Sequence, residues 1–87
     1  MFRTESHCAA IRYTPYARRQ MRQRRIPPSD VEAAMADPQI RYPDQAGRII
    51  VRSRIRGRRL CVVYEVRETD CLVISAYLLD EEDDEAA

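Results

Sequence analysis

A chain of 87 residues with 45% apolar content supports one small core, and its 33% charged content and mean hydropathy of −0.56 leave no stretch apolar enough to span a membrane. All 15 basic residues are arginine, which excludes Schiff-base chemistry, a P-loop lysine and a lysine general base, and two glycines make no phosphate-cradling loop. The formal charge of +1 conceals a split: residues 1–67 hold 15 Arg against 6 acids, a balance of +9, whereas residues 68–87 hold 8 acids and no base, −8.

Residues 1–9 read as an N-terminal segment without a signal peptide's apolar run, so a cytoplasmic protein is expected. Cys8, Cys61 and Cys71 are odd in number and read as reduced thiols, with Cys61 a small buried hydrophobe in a strand-like run. No CxxC pair or second histidine accompanies His7, so neither a metal nor a cofactor is expected. His7 and Cys8 are adjacent near a terminus, without the third orienting group a nucleophile pair needs.

The folded body is expected over residues 10–79, and Ala10–Tyr13 is a candidate edge strand. Thr14 before Pro15 is an N-cap with proline at the first helical position, opening a helix to about Arg24. Ala17 and Met21 make its apolar stripe, Arg18, Arg22 and Arg25 gather on a second face, and Tyr16, Gln20 and Gln23 on a third. So narrow a stripe requires tertiary contacts to hold the helix. After the Ile26-Pro27-Pro28 corner, Ser29 and Glu32 have the spacing of a capping box for a second helix, with Val31, Ala34 and Met35 inward and Asp37-Pro38 as its stop.

From Ile40 the pattern alternates, predicting strands at Ile40–Tyr42, Arg48–Ile55, Arg59–Arg67 and Leu72–Leu79. Short connections predict an α+β fold: an N-terminal helix hairpin packed on one face of a three- to four-stranded antiparallel meander. A two-residue loop at Arg56-Gly57 sets Val51 opposite Val62, and a three-residue loop at 68–70 sets Val62 opposite Ala76 and Tyr64 opposite Ile74. The core face then includes Ile49, Val51, Leu60, Val62, Tyr64, Leu72, Ile74, Ala76 and Leu78. The other face carries three cross-strand rows: Arg48–Glu65–Val73, Ile50–Val63–Ser75 and Arg52–Cys61–Tyr77.

The third row sets guanidinium forks beside an aromatic ring, suited to phosphate oxygens and a stacked base, and Arg52 and Arg54 equally suit the solvated face of a small sheet. No paired carboxylates stand in the body for hydrolysis. Residues 80–87 carry the unbroken acidic run Asp80–Glu85 and are expected to form a disordered tail, either solubilising or covering the basic body as a polyanion mimic.

Tyr16-Ala17-x-x-Gln20-Met21-x-x-Arg24-x-Ile26, followed by Asp37-Pro38, Pro43-Asp44, Gly47-Arg48, Leu60-x-Val62-Val63 and Ser75-Ala76-Tyr77, resembles a small bacterial domain of uncharacterised function. That domain opens with His-Ala-x-x-Arg-Met-x-x-Arg-x-Ile, ends in a Thr-x-Tyr strand, and is similar to RelE/ParE-type toxins. This chain has Tyr16, Gln20 and Ser75 where the pattern has His, the first Arg and Thr, and it keeps Arg24 and Tyr77.

The resemblance implies a toxin-type endoribonuclease acting without metal through 2′-OH attack. Tyr16, Arg24, Arg52 and Tyr77 would be its catalytic residues, and Arg18, Arg22, Arg25, Arg48 and Arg54 its nucleic-acid contacts. It implies RNA or ribosome-associated RNA as target and a small antitoxin protein as partner. A catalytically degenerate module of the same fold, binding nucleic acid or protein, is the alternative. A third reading is an assembly protein whose acidic tail meets the basic body of a neighbouring copy.

Overall fold

The structure, a computed structural model, describes residues 8–79. Its elements run β1 (Ala10–Tyr13), α1 (Pro15–Arg24), α2 (Pro28–Ala36), β2 (Ile40–Pro43), β3 (Ile49–Ile55), β4 (Arg58–Val66) and β5 (Asp70–Leu78). They form one five-stranded mixed sheet in the order β1-β5-β4-β3-β2, with β1 parallel to β5 and every other pair antiparallel. This corrects the expected three- to four-stranded antiparallel meander. The four residues of β1 are held by a partner 60 positions away, Ala10 opposite Asp70, and no local pattern encodes such a pairing.

Thr14 is the N-cap of α1, its Oγ1 accepting from Ala17 N at 3.0 Å, with Pro15 at the first turn. The capping box expected at Ser29 does not form. Pro27 is the N-cap of α2, Pro28 begins the helix, and the Glu32 carboxylate accepts from the Tyr13 hydroxyl instead. Two consecutive prolines, fixed near helical φ, start α2 one residue before the serine could cap it.

Both helices lie on one face of the sheet, α1 against β5 and α2 against β3 and β4. Between them sit Ala17, Met21, Ile26, Val31, Ala34 and Met35 from the helical half and Val51, Leu60, Val62, Tyr64, Cys71, Val73, Ala76 and Leu78 from the strands. The β3–β4 register agrees with the sequence, and Val62 does face Ala76. Beyond that point a bulge intervenes: Val63 pairs Ser75 but Tyr64 pairs Val73, leaving Ile74 over. The first half of β5 is thereby turned over, so Cys71 and Val73, not Leu72 and Ile74, enter the core. Glu65 consequently faces Leu72 instead of Val73, although its ion pair with Arg48 at 3.7 Å does form.

Cys61 is buried as expected. The thiol reading fails for the other two cysteines: Cys8 and Cys71 are joined by a disulfide with 5.4 Å between their Cα atoms. Parallel pairing of Ile11 with Cys71 brings the segment before β1 into reach of Cys71. His7 and residues 80–87, including the expected tail, lie outside the described residues. Among the described residues no helix is long and apolar enough to cross a membrane.

Candidate functional site

The bulge in β5 is where β1 hands over to α1. Thr14 N donates to Val73 O at 3.0 Å and its hydroxyl to Ile74 O at 3.3 Å, so α1 starts alongside the edge of β5 that β1 has ceased to cover. Nearly two turns on, Gln20 Oε1 accepts from Ala76 N at 2.9 Å and from Ser75 Oγ at 3.0 Å, satisfying a sheet-edge donor that would otherwise stand unpaired. Gln20 Nε2 donates to the Tyr16 hydroxyl at 3.4 Å, the pair standing four residues apart on one helix face.

Between α1 and the part of β5 that β1 leaves uncovered opens a polar cleft of about 420 Å³, lined by Tyr16, Arg19, Gln20, Gln23, Arg24, Ser75 and Tyr77. Three of the four expected catalytic residues, Tyr16, Arg24 and Tyr77, are thus brought together. Tyr16 is 56% exposed at its mouth. The fourth, Arg52, stands two strands away in the row with Cys61 and Tyr77 that the sequence set out. Its guanidinium carbon lies 5.8 Å from the centre of the Tyr42 ring. Tyr42 foremost, then Cys61 and Tyr77, raise its already high pKa against the opposing effect of desolvation.

The expected nucleic-acid contacts do not share this cleft. Arg18, Arg22 and Arg25 line a separate groove of about 490 Å³ on the other flank of α1, with Met21, Ile26, Pro27 and Pro28 beneath them and Arg56 opposite. Arg18 also leans over the Tyr13 ring at 5.7 Å. Arg48 is paired with Glu65 near the far end of the sheet, and Arg54 is exposed opposite Arg59.

Arg19, Gln23 and Ser75 line the cleft without having been expected there. Ser75-x-Tyr77 carried a signal as a motif, whereas Arg19 sits between two helix faces and carried none. Gln20 was placed on the Tyr16 face and marked as a departure from a pattern, without a structural role, yet it is the residue that joins helix to strand. Chemically, the cleft offers two guanidinium groups for phosphate oxygens and two phenol rings for stacking or hydrogen bonding. Its central amide is committed to the β5 backbone.

No curated protein and no solved structure matches this chain. A family match covers residues 13–78, from the end of β1 through the whole of β5 and so both walls of the cleft. The chain therefore belongs to the family described as Domain of unknown function (DUF4258).

Proposed function

We propose that this chain is a RelE/ParE-like, toxin-type protein that grips single-stranded RNA in the α1–β5 cleft. The observation that carries the reading is the convergence of Arg19, Arg24, Tyr16 and Tyr77 on one polar cleft. Phosphate oxygens would take the guanidinium forks, and an unpaired base would lie against Tyr16 or Tyr77. Arg52, cationic on the adjoining open face, would extend the path of the backbone beyond Tyr77. Gln20 supports binding over cleavage, because a neutral amide tied to Ser75 and Ala76 neither abstracts a proton nor balances phosphate charge. In this reading the protein works in the cytoplasm, where reduction of the Cys8–Cys71 bond would leave β1 held by its pairing with β5 alone.

The second reading is the metal-independent endoribonuclease acting through 2′-OH attack, favoured by Tyr16 and Tyr77 facing the same space as Arg24. One experiment tests both: a labelled mixed-sequence RNA is incubated with the protein in excess EDTA, and cleavage and binding are read from the same samples. Salt-sensitive binding without cleavage, weakened by Arg24→Ala and Tyr77→Ala, is the expected result. Products with 2′,3′-cyclic phosphate ends, lost in Tyr77→Phe, would establish the nuclease. Absence of both signals overturns an RNA role and leaves the protein partner, a small antitoxin or another target, as the reading to pursue.

A further inference from the structure

The groove on the far flank of α1 takes no part in the RNA reading, and it is built differently from the cleft. Its floor is Met21, Ile26, Pro27 and Pro28. Its rim is Arg18, Arg22 and Arg25, with Arg56 of the β3–β4 turn opposite. None of its lining residues is aromatic, so no ring is there for a base to stack on. Arginine and methionine are residues that protein–protein interfaces concentrate, and the flexible methionine thioether adapts to a partner's shape.

The rim accepts local costs on several counts. Arg18 and Arg22 stand four residues apart on one helix face, where like charges repel, and α1 holds no acidic residue to offset them. Arg25, the C-cap of α1, has φ 57° and Arg56 has φ 53°, left-handed conformations that glycine adopts more easily. Among the described residues neither Arg22 nor Arg25 meets a carboxylate. The buried Asp30 carboxylate lies 3.4 Å from Arg56 and is shared with Arg58 at 3.8 Å. Arg58 also donates to the carbonyls of Arg24 and Arg25 at 3.2 and 2.9 Å, which fixes the end of α1 against the turn that carries Arg56. One carboxylate among these cations leaves a positive rim around an apolar floor.

What fills a groove of about 490 Å³ built in this way must bring apolar atoms for Met21 and Ile26 and carboxylates for the rim. A nucleic-acid strand answers the rim, but its bases find no ring beneath them. A bilayer surface is too flat to reach a concave floor. We propose that the groove docks an acidic amphipathic segment of a partner protein, its aliphatic side chains on the floor and its Asp or Glu side chains on Arg18, Arg22, Arg25 and Arg56. Charge complementarity defines the partner's chemistry, and the contact is independent of whether the cleft binds RNA.

The test is an NMR titration of the full chain at about 20 mM salt with synthetic peptides of about 15 residues, or four helical turns. One peptide carries leucine at i, i+3, i+4 and i+7 spacing with glutamate elsewhere; a second has glutamine for every glutamate, and a third serine for every leucine. The acidic peptide should shift Met21, Arg22, Arg25, Ile26 and Gly57, and the other two should bind about tenfold more weakly or less. Raising salt to about 0.5 M should weaken the acidic peptide, because screening shortens the reach of the rim charges. Arg25→Gly with Arg56→Gly, substitutions suited to positive φ, should keep a dispersed spectrum and bind that peptide about tenfold more weakly. No binding of the acidic peptide up to about 1 mM, equal binding of the glutamine peptide, unchanged affinity in the double glycine variant, or shifts confined to the Tyr16–Tyr77 cleft would each overturn the proposal. Tighter binding at the same groove resonances by a short oligouridylate or by phosphatidylglycerol vesicles would overturn it as well, making the groove a nucleic-acid or a lipid site.

Discussion

The two flanks of α1 are built from the same ten residues and have opposite characters. On one side Tyr16, Gln20 and Arg24 face an open sheet edge, and backbone donors there must be answered, so the cleft is polar and its central side chain is hydrogen-bonded. On the other side Arg18, Arg22 and Arg25 stand over Met21, Ile26 and the two prolines at the turn into α2. A helix laid along a strand edge makes a hydrogen-bonding surface. A helix turning back over a proline corner makes an apolar one, rimmed only by what its sequence places there.

The largest expected effect falls on the cleft side, which depends on β1 being held against β5. Reducing the Cys8–Cys71 bond, which closes a loop of 63 positions, should cost about 3–4 kcal/mol in denaturant unfolding. Equal midpoints with and without reductant would show that β1 needs no tether. Next, Gln20→Ala removes the acceptor for Ala76 N and should cost about 1–3 kcal/mol, with Gln20→Glu much milder because a carboxylate still accepts. Should both variants unfold alike, the amide is not what closes the sheet edge.

Binding should separate the flanks more sharply than stability does. Arg24→Ala is expected to weaken RNA binding by about tenfold and to flatten its salt dependence by about one phosphate contact, whereas Arg18→Ala should change it less than about twofold. Equal losses would merge the two flanks into one nucleic-acid surface.

The smallest effect concerns Tyr13, which supports the groove side through Arg18. Burial first, and then the Glu32 carboxylate, push its hydroxyl pKa above the ordinary value. A raised folded pKa gives a contribution that is complete below the unfolded value of about 10 and is lost as pH rises through the folded one. Stability should therefore decline above about pH 10, by less in Tyr13→Phe, which itself gives up about 0.5–1 kcal/mol of hydrogen bonding at neutral pH. Tyr64, also raised by burial against the opposing pull of Arg41, adds to the alkaline loss in both proteins. Denaturant midpoints at neutral pH and near pH 10.5 measure the difference, and an identical decline would remove Tyr13 from the account.

What could be read in the sequence were the features encoded within a few residues. Thr14-Pro15 started α1, Asp37-Pro38 stopped α2, Arg56-Gly57 set the β3–β4 register, and that register put Arg52, Cys61 and Tyr77 in one row. Helical spacing alone also sorted Tyr16 and Gln20 from Arg18, Arg22 and Arg25, which is the division between cleft and groove.

Only the tertiary structure decided the rest. The parallel pairing of β1 with β5 and the Cys8–Cys71 bond join residues about 60 positions apart, where periodicity carries no information. The bulge at Ile74 defeated a register extrapolated from loop lengths, because one extra residue in a strand reverses every side chain beyond it. That bulge lies where Thr14 meets β5, so the contact that misleads the register is also the one that lays α1 along the strand edge and opens the cleft.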